Sequence, residues 1–243
     1  MPEGIALTVQ DLPVGAGMAD ERQIRIRGIL FGLIPVILMG AILFISAGTV
    51  FWPAAWLILL VMFSATTLVT LTCHADLITE RMQKQTGAKG YDQKLVRLLN
   101  LIGLLPLLVA GLDFRFCWSG QIAFPVQAAA VIAFVLGYCL FSWALLSNRF
   151  FSLIVRVQSE KGHHPVTSGP YRFVRHPGYL GFIVIVLAQP VILGSYWAVI
   201  PAVVTAGLIV WRTALEDRIL RAELPGYREF ADKVRYRLVP AIW

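Results

Sequence analysis

Apolar residues in this chain come in long unbroken runs, without the alternation that marks half-buried surface helices or strands. The runs cover 28–51, 52–73, 98–112, 122–146, 178–193 and 196–211. Most approach the roughly 20 residues a helix needs to cross the hydrocarbon of a bilayer. A segment in hydrocarbon must satisfy its own backbone hydrogen bonds, so all six are predicted to be helices. The expected fold class is all-α, a polytopic bundle of about six membrane helices. Trp52-Pro53 separates the first two runs and Gly194-Ser195 the last two, and both junctions leave room only for tight helical hairpins. The arms of the last hairpin hold about 16 residues each, near the lower limit for crossing, so they are expected to be tilted or sheltered by protein.

The polar intervals give this bundle a direction. Residues 1–27 form a polar N-terminal segment, 28–146 a four-span region, and 147–243 a C-terminal region with the last hairpin and most of the polar chemistry. With 1–27, 74–97, 147–177 and 212–243 assigned to one face, that face holds 20 of the 21 Lys and Arg residues, and Arg115 lies opposite. The positive-inside rule then places both termini and both long loops in the cytoplasm. Residues 1–21 lack the apolar core of a signal peptide, so the first run is expected to remain as an anchor.

Composition excludes several classes of function. The chain is 58% hydrophobic and 14% charged, against about half and about a quarter in a soluble domain. Its formal charge of +7 is read as orientation and as contact with anionic membrane lipids, since no basic-aromatic module favours nucleic acid. Cys73, Cys117 and Cys139 are widely spaced, with neither a CxxC pair nor a His at ligand spacing, and are read as structural thiols without a metal site. The middles of the spans carry no Asp, Glu, Lys, Arg or His, which disfavours a pump or secondary transporter. Small residues at four-residue spacing, Gly28 and Gly32 or Ala202 and Ala206, point to close helix packing.

Polar chemistry therefore gathers at the basic boundary, in 163–181 (HHPVTSGPYRFVRHPGYLG) and 212–227 (RTALEDRILRAELPGY). Gly169-Pro170 is a turn, and Pro177 occupies the favoured first position of the fifth span, with His176 placed before it to cap the helix. The free amides at that helix start would suit an anion, with Tyr171, Arg172, Arg175 and Tyr179 around it. Arg212 and Glu216 stand four apart on one helical face, as do Asp217 and Arg221 on another. Asp217 with Arg221 reads as an ordinary ion pair. The face of Glu216 and its partner Arg212 runs on into the apolar span, which would set a carboxylate and a guanidinium over the anion site. Such a mixed lining fits a ligand with both a carboxylate and a positive centre, and S-adenosylmethionine is one.

The stretch GPYRFVRHPGYLG at 169–181 resembles the signature turn of the isoprenylcysteine carboxyl methyltransferase and phospholipid methyltransferase superfamily, and RTALED at 212–217 resembles its Arg-xxx-Glu-acid element. NRFFS at 148–152, VRVQ at 155–158 and the terminal RYRLVPAIW are also similar to bacterial members, as is ERMQKQTGAKGYDQKL more weakly. The resemblance implies a bacterial inner-membrane protein with S-adenosylmethionine in a cytoplasmic pocket under the last hairpin. Tyr171, Arg175, His176, Pro177 and Tyr179 would bind it from the turn, and Arg212, Glu216 and Asp217 from the last helix. Where the family commonly has a second glutamate this chain has the shorter Asp217. Asn148, Arg149 and His164 are the candidates on the acceptor side. Each has a plainer reading: a cap on the fourth span, a headgroup contact and a loop histidine. The implied activity is methyl transfer to a lipophilic or membrane-partitioned acceptor, whether carboxylate, amine or small thiol. An NADPH-dependent membrane sterol or lipid reductase and a non-enzymatic membrane scaffold are the alternatives.

Overall fold

The computed structural model describes residues 14–82, 90–152, 154, 157–159 and 162–243. Its helices are α1 (Val14–Ala47), α2 (Pro53–Thr72), α3 (Ala75–Met82), α4 (Gly90–Phe116), α5 (Phe124–Ser147), α6 (Pro177–Ile192), α7 (Val199–Glu223) and α8 (Tyr227–Lys233), with a 3-10 turn at Gly169–Arg172. No strand occurs among the described residues. Prolines start α2 and α6 at first-turn positions, where the missing N–H loses nothing.

All six apolar runs become helices. Five of them, α1 from Asp20, α2, α4 from Asp92, α5 and α7, are long and apolar enough to cross a membrane, and α6 is shorter at 16 residues. The chain is an integral membrane helical bundle. One arm of the last hairpin departs from expectation: α7 is not short but runs unbroken for 25 residues through Glu223. Residues 212–223 hold good helix formers and neither Gly nor Pro, so the helix leaves the hydrocarbon and stops only before Pro225. α4 likewise starts at Gly90, well ahead of its apolar run. These polar extensions build the site.

Leu43, Ile58, Leu107, Phe134 and Ile185 meet at the centre of α1, α2, α4, α5 and α6 with almost no exposure. The outward faces are apolar too. Ile37, Leu101 and Ile132 are each more than 60% exposed, a distribution that suits lipid and not water. Gly28 and Gly32 seat α1 against Thr70, Ile78 and Thr66, the close packing that their spacing predicts. At the end opposite the basic loops, the buried carboxylate of Asp113 accepts hydrogen bonds from the Ser119 amide at 2.7 Å and the hydroxyls of Ser119 and Ser195. That clasp ties the α6–α7 turn to α4.

α5 and α6 cross backbone against backbone. A Cβ added to Gly181 would stand 2.7 Å from the Gly137 carbonyl oxygen and 2.8 Å from the Phe141 nitrogen. Both obstacles are backbone, so the helices would have to separate. Gly181→Ala is therefore expected to cost about 1–3 kcal/mol, the usual scale of overpacking. Gly207→Ala, where nothing lies within 4 Å, should be neutral. Thermal unfolding midpoints in detergent compare the two, and equal midpoints would refute the close crossing.

Candidate functional site

The site grows from the turn before α6. Gly169 adopts φ +58, and a Cβ there would meet the Ser147 hydroxyl at 2.4 Å, so both conformation and space require glycine. After the turn, the amides of Arg175 and His176 donate to the carbonyls of Tyr236 and Arg237, both at 2.9 Å. This pins the chain just before Pro177. His176 stands at the N-cap position, but its side chain makes no capping hydrogen bond, which corrects the capping role expected of it. Its ring is drawn to the other side instead. Nε2 lies 3.5 Å from Asp217 Oδ1 and 3.4 Å from the Tyr227 hydroxyl, and Nδ1 lies 3.9 Å from Glu216 Oε1.

Asp217 is the hub of this end. Its side chain is 1% exposed and receives Arg175 Nε at 2.7 Å, Arg237 Nε at 3.0 Å, Arg221 Nε at 3.1 Å and the Tyr227 hydroxyl at 3.0 Å. Arg175 further donates to the carbonyls of Ala231, Val234 and Arg235. The expected Asp217–Arg221 pair is present, as one part of a larger knot. Asp217 and Arg175, both expected to bind a cofactor, are engaged with protein in this knot. Arg175 borders the cavity described below with its guanidinium committed to protein, and Asp217 is not in the cavity wall.

Glu216 and Arg212 do point into the cavity, but through different partners from those that the i,i+4 spacing suggests. Arg212 pairs with the buried Asp92 of α4, Nε to Oδ1 at 3.2 Å, and its guanidinium stacks over the Tyr179 ring at 5.6 Å. Glu216 Oε2 accepts the Tyr179 hydroxyl at 2.5 Å. The cavity has a volume of about 410 Å³. Asn148, Tyr171, His176, Tyr179, Arg212 and Glu216 line its polar part, while Val96, Leu99, Phe141 and Phe182 continue it along the membrane helices. Burial, opposed by a hydrogen bond from Asn148, lifts the Tyr171 phenol well above the ordinary tyrosine range. Burial and the Asp217 carboxylate do the same for Tyr227, so both remain hydrogen-bond donors at neutral pH.

The three acceptor-side candidates separate. Asn148 caps α5, accepting the Phe150 amide at 2.9 Å, and also lines the cavity, where its amide reaches the Tyr171 hydroxyl at 3.3 Å. Arg149 lies over the Phe150 ring and outside the cavity wall. His164 is in the wall. Arg172 is exposed over Phe173 and does not border the cavity. Sequence reasoning missed Asp92, Tyr227 and His163. Asp92 sits in the GYDQKL stretch whose weak family resemblance was its one signal. His163 differs from its neighbour His164 only by position, and nothing local marked Tyr227.

Fold and site together define a polytopic helical membrane protein with a polar cavity at the boundary of its spans that opens into an apolar one. Residues 129–222 match the model of the isoprenylcysteine carboxyl methyltransferase family. That match lies in the C-terminal region, over less than half of the chain. It is 31% identical over 126 residues to protein-S-isoprenylcysteine O-methyltransferase of Schizosaccharomyces pombe, covering 47% of this chain and 52% of the relative. The probable protein-S-isoprenylcysteine O-methyltransferase of Oryza sativa subsp. indica is 28% identical over 116 residues, covering 45% and 59%. The chain thus spans little more than half the length of these relatives. In fold it is similar to a solved eukaryotic intramembrane Ras methyltransferase, isoprenylcysteine carboxyl methyltransferase, with a TM-score of 0.50 over 95% of this chain and 88% of the other at 13% identity.

Proposed function

We propose that this chain is an S-adenosylmethionine-dependent methyltransferase for a lipophilic or membrane-partitioned acceptor, with its basic face in the cytoplasm. The observation that carries this reading is a continuous cavity whose polar part, at the start of α6, runs into an apolar part along α4, α5 and α6. The donor set fits the cofactor. The first-turn amides of α6 and Arg212 suit its carboxylate, Glu216 suits its ammonium or sulfonium, and the aromatic faces of Tyr179 and Phe182 suit positive charge and the purine. When bound, S-adenosylmethionine supplies a methyl group on a positively charged sulfur. The chain's own task is to hold an acceptor in line with that bond and to exclude water, which the buried phenols and the phenylalanines of the wall do. The relatives named above are all methyltransferases, which supports this reading over the reductase.

Purified protein in detergent should bind S-adenosylhomocysteine and not NADPH. Glu216→Gln should weaken that binding by about 1–3 kcal/mol, the scale of a lost charged hydrogen bond, without lowering the unfolding midpoint. Titration calorimetry reads the affinities and a thermal scan the midpoint. Preference for NADPH would reject the methyltransferase reading, and an unchanged affinity would remove Glu216 from the site.

A further inference from the structure

The loop after α5 brings two adjacent histidines to the cavity in opposite states. His164 Nδ1 lies 3.0 Å from the Gly162 carbonyl oxygen. A carbonyl can only accept, so Nδ1 carries the hydrogen and the lone pair of the neutral ring is on Nε2. His163 is reversed: its Nδ1 accepts the Gln158 amide at 3.3 Å, which puts its hydrogen on Nε2. Both rings pack on the buried phenyl of Phe150, His163 tilted at 4.5 Å and His164 edge-on at 5.1 Å. Their orientations are thus set by packing as well as by hydrogen bonds. Both border the cavity, and His164 is also exposed to water.

We propose that His164 is the general base of this site and that its acceptor is a thiol with an apolar substituent; the proposal rests on the methyl-transfer reading above. A carboxylate acceptor is already a nucleophile and has no use for a positioned lone pair. Among acceptors that must lose a proton, an alcohol lies far above an imidazole, and an alkylammonium, though comparable with an alkanethiol in acidity, would have to carry its charge into the cavity. A neutral thiol also enters a cavity walled by Leu99, Phe141 and Phe182 without the desolvation cost of an ion. In the step itself the acceptor S–H bond breaks and its proton passes to His164 Nε2. The sulfur electron pair forms the new S–C bond, and the donor's S–CH₃ electrons return to the donor sulfur. The products are a thioether, neutral S-adenosylhomocysteine and an imidazolium that releases its proton to water. The titratable groups sharing the cavity with His164 are His163, Arg175 and His176, Tyr171 and Tyr179, Arg212 and Glu216, and Tyr227.

The test uses the full chain in detergent with decanethiol and with an S-prenylated N-acetylcysteine carboxylate as alternative acceptors. Wild type should methylate the thiol with a turnover that falls on the acid side. His164→Gln should lower thiol turnover about 100-fold, the usual scale of a lost general base, abolish that acid limb and leave S-adenosylhomocysteine affinity unchanged. His163→Gln disturbs the same loop and should keep the limb whatever its rate. Preference of wild type for the carboxylate, or an unaltered thiol rate and pH profile in His164→Gln, would overturn the assignment of base and acceptor while cofactor binding persists. Absence of S-adenosylhomocysteine binding in wild type would overturn the methyl-transfer reading itself, and this proposal with it.

Discussion

Asp217→Asn should lower stability more than any other single replacement at the basic end, by about 3–5 kcal/mol, the cost of breaking a buried ion pair from one side. The arithmetic depends on which partner is buried. Arg221 and Arg237 have side chains 41% and 31% exposed, so water can take over their charges and they contribute little. Arg175 is 2% exposed, and without the carboxylate its guanidinium would be left charged among the carbonyls of 231, 234 and 235. The asparagine would also offer one accepting oxygen to four donors, so the hold on Tyr227 and on α8 should weaken. The unfolding midpoint in detergent should fall and cofactor affinity should fall with it, whereas Glu216→Gln should lose affinity alone. Treating Asp217 as a plain helix-surface pair would predict the reverse ranking. A variant with an unchanged midpoint would show that the knot does not hold this end together.

Arg212→Leu should be nearly as damaging, and its damage should be separable. The change leaves Asp92, 1% exposed, without its guanidinium partner, for which a cost of about 3–5 kcal/mol is the general scale. Asp92 lies in the first turn of α4, where the helix N-terminus partly compensates a negative charge, so the lower end is expected. Adding Asp92→Asn removes the carboxylate charge that Arg212 balances and should restore most of the midpoint. It should not restore S-adenosylhomocysteine affinity, because the guanidinium over Tyr179 is still missing. Recovery of both together would mean that Arg212 only holds α4 to α7 and does not touch the ligand.

The membrane architecture was legible because hydrocarbon leaves the chain few choices. Unbroken apolar runs can only be helices there, and Gly194-Ser195 and Pro177 punctuate them in the structure as they do in the sequence. The short-arm reading of 196–211 failed because hydropathy reports where lipid ends, whereas α7 ends where backbone chemistry stops it at Pro225. Residues of the cavity wall were legible where a turn or a helical face gathers them locally, as for Tyr171, His176, Tyr179 and Glu216. Partnerships were not. Arg212 finds Asp92, 120 positions away, and Arg175 finds Asp217, 42 positions away, while i,i+4 reasoning can propose only neighbours on one helix. The two imidazole tautomers were equally hidden, since they are set by the Gly162 carbonyl and the Gln158 amide and not by the identity of the residues.

The knot around Asp217 also determines how mutational data on this protein will combine. Four segments, the turn at 175, α7, α8 and the stretch at 237, share one carboxylate, so removing Arg175, Arg221 or Arg237 changes what each of the others can contribute. Single replacements at these positions will not sum to the effect of a triple replacement. An alanine scan scored by turnover alone would attribute to several arginines a loss that belongs to one shared anion. Double-mutant cycles within the group should show coupling, and cycles pairing any member with Asp113 at the far end of the bundle should show none.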